Sequence, residues 1–207
     1  MSCDTPIDFC VRAGATFSHI LRWETLPVVY KAITGIAQTA PVRITCPAHE
    51  VTDGWRVAIV SVKGMTQINA QSPTPRTGDY HPANVLDSNT IELNAVNAAN
   101  FSAYTSGGYV QYNTPVDLSL CTARMKIKDA IDGTLLASTE SADAPLNTIT
   151  ISLDNVYKTI TITIPAATTA GFSWLTGVYD IEIQAPSGVV TALLAGTISV
   201  TPEITTS

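Results

Sequence analysis

The sequence predicts an all-β protein made of short antiparallel strands packed face to face. Three observations carry that expectation. Apolar and polar residues alternate with period two in several runs, most clearly in Thr159-Ile160-Thr161-Ile162-Thr163-Ile164. Successive strand residues point to opposite faces, so such a run buries one side-chain row and wets the other. β-branched residues fill these runs, as half-buried pleated surfaces favour. Turn sequences such as Asp132-Gly133, Asp154-Asn155 and Pro186-Ser187-Gly188 separate them, and a helical period is nearly absent.

In chain order, the first strand with this character spans Phe17–Trp23. The middle of the chain, residues 34–112, is richer in turns, with Asp53-Gly54, Ser106-Gly107-Gly108 and the Gln71–Asp79 loop containing two prolines. Between them lie short strands at Pro41–Cys46, Trp55–Val62, His81–Leu86, Thr90–Asn94 and Gly108–Tyr112. That is enough to close a small barrel. Longer, cleaner strands follow at Arg124–Lys128, Thr159–Ile164 and Tyr179–Gln184. The last joins Val189–Val200 through Pro186–Gly188 as a hairpin, and Ala166–Phe172 supplies one helical turn. The expected organisation is a β-sandwich formed by residues 1–33 and 113–207, interrupted by a barrel over 34–112. Such insertions are tolerated because the ends of compact domains often lie close together. The polar ends, Met1–Thr5 and Ile204–Ser207, are expected to order only against neighbours.

Composition narrows the class of function. The 207 residues allow one large domain or two small ones. Hydrophobic residues make up 45% and charged residues 14%, the latter well below the ~25% of ordinary soluble domains. This suits sheets with extensive subunit contacts and argues against disorder. Net charge is −6 and the pI about 4.9. Arg124, Lys126 and Lys128 alternate with Ala123, Met125 and Ile127, which makes them the wet face of one strand; no nucleic-acid partner is expected. No run approaches the ~18 apolar residues of a membrane helix, so no membrane partner is expected either. The opening MSCDTPIDF lacks the features of a signal peptide, and assembly in a cytoplasm is expected.

Two resemblances to known families add to this reading. One rests on Asp8-Phe9-Cys10-Val11-Arg12-Ala13-Gly14-Ala15-Thr16-Phe17, Pro115-Val116-Asp117-Leu118, Ala123 to Lys128, Gly177 to Glu182, and Leu193 to Glu203. In that order these segments resemble the immunoglobulin-like β-sandwich at the N-terminus of phage baseplate upper proteins and of many short phage tail proteins. The other rests on Pro47 to Val57, Val62 to Asn69, and Phe101 to Gly108. These are similar to the small β-barrel called the first catalytic cysteine half-domain in ubiquitin-activating enzymes, a module also carried by phage structural proteins. Fold and context follow from that likeness, and no active site does, because Cys46 matches no nucleophile motif.

Candidate chemistry is sparse. Cys3, Cys10, Cys46 and Cys121 form no CxxC and no zinc spacing, so structural thiols are expected, with a disulfide open in an oxidised particle. Of the histidines His19, His49 and His81, His49 precedes the Asp53-Gly54 turn and suits a local loop hydrogen bond. Asp79-Tyr80-His81-Pro82 pairs an acid with an imidazole but lacks a third ligand at motif spacing. There is no Gly-x-Ser-x-Gly elbow, and no catalytic, cofactor-binding or metal-binding residue is expected. The aromatics Trp23, Trp55 and Trp174 read as core, although aromatic rings also stack on sugars. Tyr80, Tyr104, Tyr109 and Tyr112 are the candidate partner-contact residues, the last three in a Gly/Ser-rich segment beside the domain junction. The expected function is that of a non-enzymatic virion structural protein, a tail or baseplate adaptor present in several copies and contacting other virion proteins such as fibres. A head-decoration or collar protein and a glycan-binding host-recognition module are the alternatives.

Overall fold

The computed structural model describes residues 7–204, so the expectations for Met1–Thr5, Thr205–Ser207 and Cys3 lie outside the described residues. The first two strands are β1 (Phe9–Arg12) and β2 (Phe17–Leu21). Then come β3 (Glu24–Ala32), β4 (Gly35–Ala37), β5 (Val42–Thr45), β6 (Arg56–Lys63), β7 (His81–Pro82), β8 (Asn84–Asp87), β9 (Thr90–Leu93) and β10 (Ser106–Pro115). The last group is β11 (Thr122–Lys128), β12 (Leu135–Ser138), β13 (Thr150–Asp154), β14 (Thr159–Ile164), β15 (Thr176–Gln184) and β16 (Val190–Thr201), with the short helix α1 (Ala166–Ala170) between β14 and β15. The protein is all-β, as its alternation requires.

Two compact units divide the chain. One comprises residues 7–22 and 117–204, the other Trp23–Val116. This moves the expected insertion boundaries of 34 and 112 outward. The reason is β3, which pairs residue for residue with β10 from Tyr109↔Ala32 to Asn113↔Val28 and so belongs to the inserted unit.

In the outer unit, a five-stranded sheet runs β1-β16-β15-β11-β12 and a three-stranded sheet runs β13-β14-β2. All pairs are antiparallel except β1 with β16. The sequence dictates which face is inside. On β14, Ile160, Ile162 and Ile164 are fully buried while the threonines between them face outward. Met125 and Ile127 of β11, Ile181 of β15 and Ile198 of β16 meet Ile162 and Ile164 in one core. Each isoleucine buried in this way stabilises the fold by about 1.5–3 kcal/mol. Outward on β11, Arg124 pairs with Glu182, and Lys126 with Glu140 and Asp143. The β13–β14 turn closes on Asp154, whose carboxylate accepts the backbone N–H groups of Val156 and Tyr157. Gly188, at φ +85°, completes the β15–β16 hairpin with its N–H donated to the Ala185 carbonyl.

The inserted unit is a ring of strands. One sheet runs β3-β10-β6-β7 and the other β4-β5-β9-β8. Two bent segments pass from sheet to sheet. At the first bend Ile33 donates its N–H to Gly108 of β10, and the next residue, Thr34, donates to Thr45 of β5, the partner of β4. At the second, Ala83 donates to Trp55 beside β6, and Asn84 pairs with Glu92 of β9. The ladder therefore returns on itself. Trp55, Val57, Ile59, Ile44, Ile91, Leu93 and Val110 fill the interior. Five strands were legible in the sequence; the sixth, Glu24 to Ala37, was not. Its residues ETLPVVYKA do not alternate, because an outward Tyr30 and the bend replace the simple wet/dry pattern.

Candidate partner-contact surface

The structure sorts the candidate tyrosines by where strand register points them. On β10, residues 110 and 112 point into the ring, and 109, 111 and 113 point out. Tyr112 is 3% exposed, and its hydroxyl donates to the His49 carbonyl at 2.8 Å. Burial pushes its pKa up to about 12, with Glu50 and Cys46 adding smaller repulsions. Tyr112 is thus a core anchor and not a contact residue, which corrects the expectation. Tyr104 is half-buried against the same core and bonds the Ile33 and Gly107 carbonyls, each at 3.1 Å. It fastens the Gly/Ser-rich segment down. Tyr80 is half-buried with its ring 4.8 Å from the Arg56 guanidinium carbon. Tyr109 is 45% exposed.

Tyr109 has a neighbour that the sequence reading missed. Tyr30 of β3 is 55% exposed, and its ring meets that of Tyr109 edge to face, with centroids 6.2 Å apart. Register explains the meeting: Tyr30 lies opposite Gln111, so Tyr30 and Tyr109 are diagonal neighbours on one face. Gln111 also lies opposite Ala58, and Tyr109 opposite Val60, which puts Val60 on this face too. No alternation marks β3, so nothing in the sequence distinguished Tyr30 from a core aromatic.

A polar cluster completes the face toward the start of β6. Arg56 grips Glu24 with two bonds of 2.6 and 2.7 Å, and Asn113 donates to the same carboxylate at 2.8 Å. The Asn113 carbonyl in turn accepts the buried Trp55 indole N–H. Glu24's hydrogen bond raises the Arg56 pKa above its ordinary value. The cluster sits where the unit's two ends meet, for Val116 donates its N–H to the Trp23 carbonyl at 3.0 Å.

The remaining candidates resolve into local structure. His49 is buried; its Nε2 lies 2.8 Å from the Asp87 carbonyl and its Nδ1 accepts from Val51 N–H. These bonds fix the neutral tautomer with the proton on Nε2. Asp79 accepts the N–H groups of Arg76 and Gln71, which hold its carboxyl below the usual range. Asp79 and His81 line a cleft of about 300 Å³ with Gln67, Asn69 and Phe101. Among the described residues no three His, Cys, Asp or Glu side chains gather at metal-binding distance. Cys10, Cys46 and Cys121 are free thiols, and desolvation pushes Cys46 up to about 11. In chemical terms, the tyrosine face offers stacking area, hydroxyls and a fixed guanidinium. No known protein-family model matches the chain, and no curated protein sequence is similar to it.

Proposed function

We propose that the chain is a non-enzymatic bacteriophage virion protein, a tail or baseplate adaptor that joins other particle components through the Tyr30–Tyr109 face of its inserted barrel. The exposed Tyr30–Tyr109 pair carries this reading. Tyrosine and arginine dominate the residues whose truncation costs most at protein interfaces, and here both stand on a rigid sheet. A rigid aromatic contact loses little conformational entropy on binding.

Strand order supports an immunoglobulin-like reading of the outer unit. In such sandwiches, strands B, E and D adjoin in one sheet, and C′, C, F and G adjoin in the other. The neighbours β2-β14-β13 and β12-β11-β15-β16 follow that order. The inserted unit then occupies the B–C connection. In antibody variable domains that loop and the F–G loop form the recognition end. In this reading the F–G connection is the β15–β16 hairpin, and Gln184 before it lies opposite Thr122 at the start of β11. The ring of strands supports the likeness of the insert to the first catalytic cysteine half-domain barrel. Partners would be other virion proteins, with copies repeated by the symmetry of the particle.

The glycan-binding reading draws on the same two rings. They stand at 90° to each other and present an edge and a face rather than a common platform for a sugar. The test is composition and cryo-electron microscopy of purified particles carrying wild-type protein or the double variant Tyr30→Ala/Tyr109→Ala. The proposal expects the wild type at symmetric positions and loss of the barrel's contacts in the variant. Absence of the protein from purified particles sinks it, and retention on a glycan array would favour the second reading.

A further inference from the structure

A buried polar side chain without a partner in its own fold is uncommon and calls for an explanation. Five polar side chains are buried among the described residues: His49, Glu92, Gln111, Ser138 and Thr169. Four are satisfied. His49 bonds the Asp87 carbonyl and the Val51 N–H, and Glu92 bonds Arg43 and Asn84. Ser138 accepts from the Glu140 N–H, and Thr169 donates to the Ala15 and Ala166 carbonyls. Gln111 is 4% exposed, and its amide bonds nothing among the described residues. Register puts this amide in the middle of the Tyr30–Tyr109 face. Gln111 lies opposite Tyr30 on one side and Ala58 on the other, with Tyr109 two residues along the same strand. Ala58 offers no polar side-chain group, and Asn113, next along the face, already donates to Glu24. The Gln111 amide is not sealed in, however. Among the described residues the one wholly enclosed side-chain atom without a hydrogen bond belongs to Asp143, which Lys126 meets at 3.0 Å. Gln111 is a recessed amide that opens onto the face between the rings.

We propose that Gln111 reads the main chain of a partner protein, an extended peptide segment of which crosses the Tyr30–Tyr109 face. One residue of that segment bonds the Gln111 amide through its N–H and C=O, which point to the same side in an extended chain. An apolar side chain beside it lies against the two rings. The inference rests on the reading of this face as a protein contact surface and names what the partner presents to it. Donor–acceptor balance selects the occupant. A glutamine amide offers two N–H donors and a carbonyl acceptor. An anion brings no donor and an ammonium no acceptor, so either would leave half of the amide unpaired, at a cost. A peptide main chain brings both. It cannot enter as an added strand, because β10 is already paired on one side with β3 and on the other with β6. A side-chain amide is the way left for this face to bond a main chain. A sugar also donates and accepts, yet the rings stand at 90° and give it no common platform. In the free chain the unpaired amide costs stability, and bonding to the partner removes that cost.

A display library of random linear peptides, selected on the immobilised full chain, supplies the probe. Wild type is expected to enrich binders. Gln111→Met and Tyr30→Ala/Tyr109→Ala are each expected to weaken the selected peptide by about tenfold or more. Methionine keeps the length of glutamine and removes the amide. That amide has no bond to lose in the free chain, so Gln111→Met is expected to melt at or above the wild-type temperature, whereas a structural glutamine would lower it. Single N-methyl groups placed along the selected peptide test the main-chain bond: methylation at one residue should weaken binding by about tenfold while its neighbours tolerate it. No enriched peptide, a lowered melting temperature, full binding by Gln111→Met, or indifference to every N-methyl group each overturns the proposal. Glycan-array binding that Gln111→Met abolishes would assign the amide to a sugar and overturn it as well. The adaptor reading fails separately, by absence of the protein from purified particles, an outcome that selection on the isolated chain does not touch.

Discussion

Replacing Tyr112 by phenylalanine separates a core anchor from a contact surface. The ring stays, so no cavity opens; the single loss is the 2.8 Å bond to the His49 carbonyl. Leaving a buried carbonyl without its partner costs about 1–3 kcal/mol. At roughly 4–8 °C per kcal/mol for a unit of this size, the melting transition of the inserted unit should fall by about 4–24 °C. The matched control is Tyr109→Phe, an exposed ring whose hydroxyl makes no hydrogen bond among the described residues, and whose loss should leave the transition in place. The pH dependence adds a second reading. Tyr112 has a folded pKa of about 12, above the ~10 of an unfolded tyrosine. A raised pKa means that the folded state favours the protonated phenol. Its contribution is therefore whole below pH ~10 and is lost as pH rises through about 12. Cys46, raised to about 11, acts in the same direction over an adjoining range. Thermal unfolding followed by circular dichroism from pH 8 to about 12 should show wild type losing stability in that window, with a shallower loss in Tyr112→Phe. If Tyr112→Phe melts with wild type at neutral pH, the hydroxyl is not buried as described and the reasoning fails.

Other outcomes follow from named contacts. Ile162→Ala empties a fully buried site between the two sheets of the outer unit and should cost about 2–5 kcal/mol by urea unfolding. Gly196→Ala would drive a methyl group into the Ile7 backbone, which lies directly over that glycine. It should cost about 1–3 kcal/mol and speed hydrogen exchange in β1, the strand that Ile7 leads into. Cys10 is exposed, and hydrogen bonding from Thr201 and Ser199 lowers its pKa, whereas Cys46 is buried with its pKa raised. Mass spectrometry after brief iodoacetamide treatment should therefore find Cys10 modified in the native protein and Cys46 only after denaturation.

What the sequence disclosed depended on how simply each residue's environment followed from its neighbours in the chain. β14 was legible to the residue, because one buried and one wet face impose strict alternation on Thr159–Ile164. The β15–β16 hairpin was legible from Pro186-Ser187-Gly188, since Gly188 occupies the positive φ that the turn requires. β3 was not. It carries Pro27 and bends out of one sheet at Ile33, and its partner β10 is distant in sequence. The error in the domain boundary and the omission of Tyr30 are thus one failure: without β3 as a barrel strand, nothing places Tyr30 beside Tyr109. Tyr112 was misjudged for a related reason. Gly108–Tyr112 reads as a strand in the sequence, but its irregular pattern does not say which face Tyr112 takes; the register of β10 over Ser106–Pro115 turns it inward.

The two cores also decide what the insertion means physically. The cluster around Trp55, Ile44 and Ile91 draws all its members from Trp23–Val116, and the cluster around Ile162, Ile181 and Ile198 draws all its members from the flanking segments. Neither needs a side chain from the other to exclude water, which is the condition for independent folding. The inserted unit also closes its own ends, through the Val116–Trp23 hydrogen bond and the Arg56–Glu24–Asn113 cluster beside it. Expressed alone, residues 23–116 should therefore fold cooperatively. The outer unit, with that segment replaced by a short Gly/Ser linker, should do the same, and the melting temperatures of the two pieces should match two transitions in the intact chain. A single transition in the intact chain, together with an unfolded fragment, would mean that the cores depend on each other in a way their composition does not reveal. Separate transitions would mean that the Tyr30–Tyr109 face can change without cost to the sandwich that carries it, which is what a loop-borne contact domain requires.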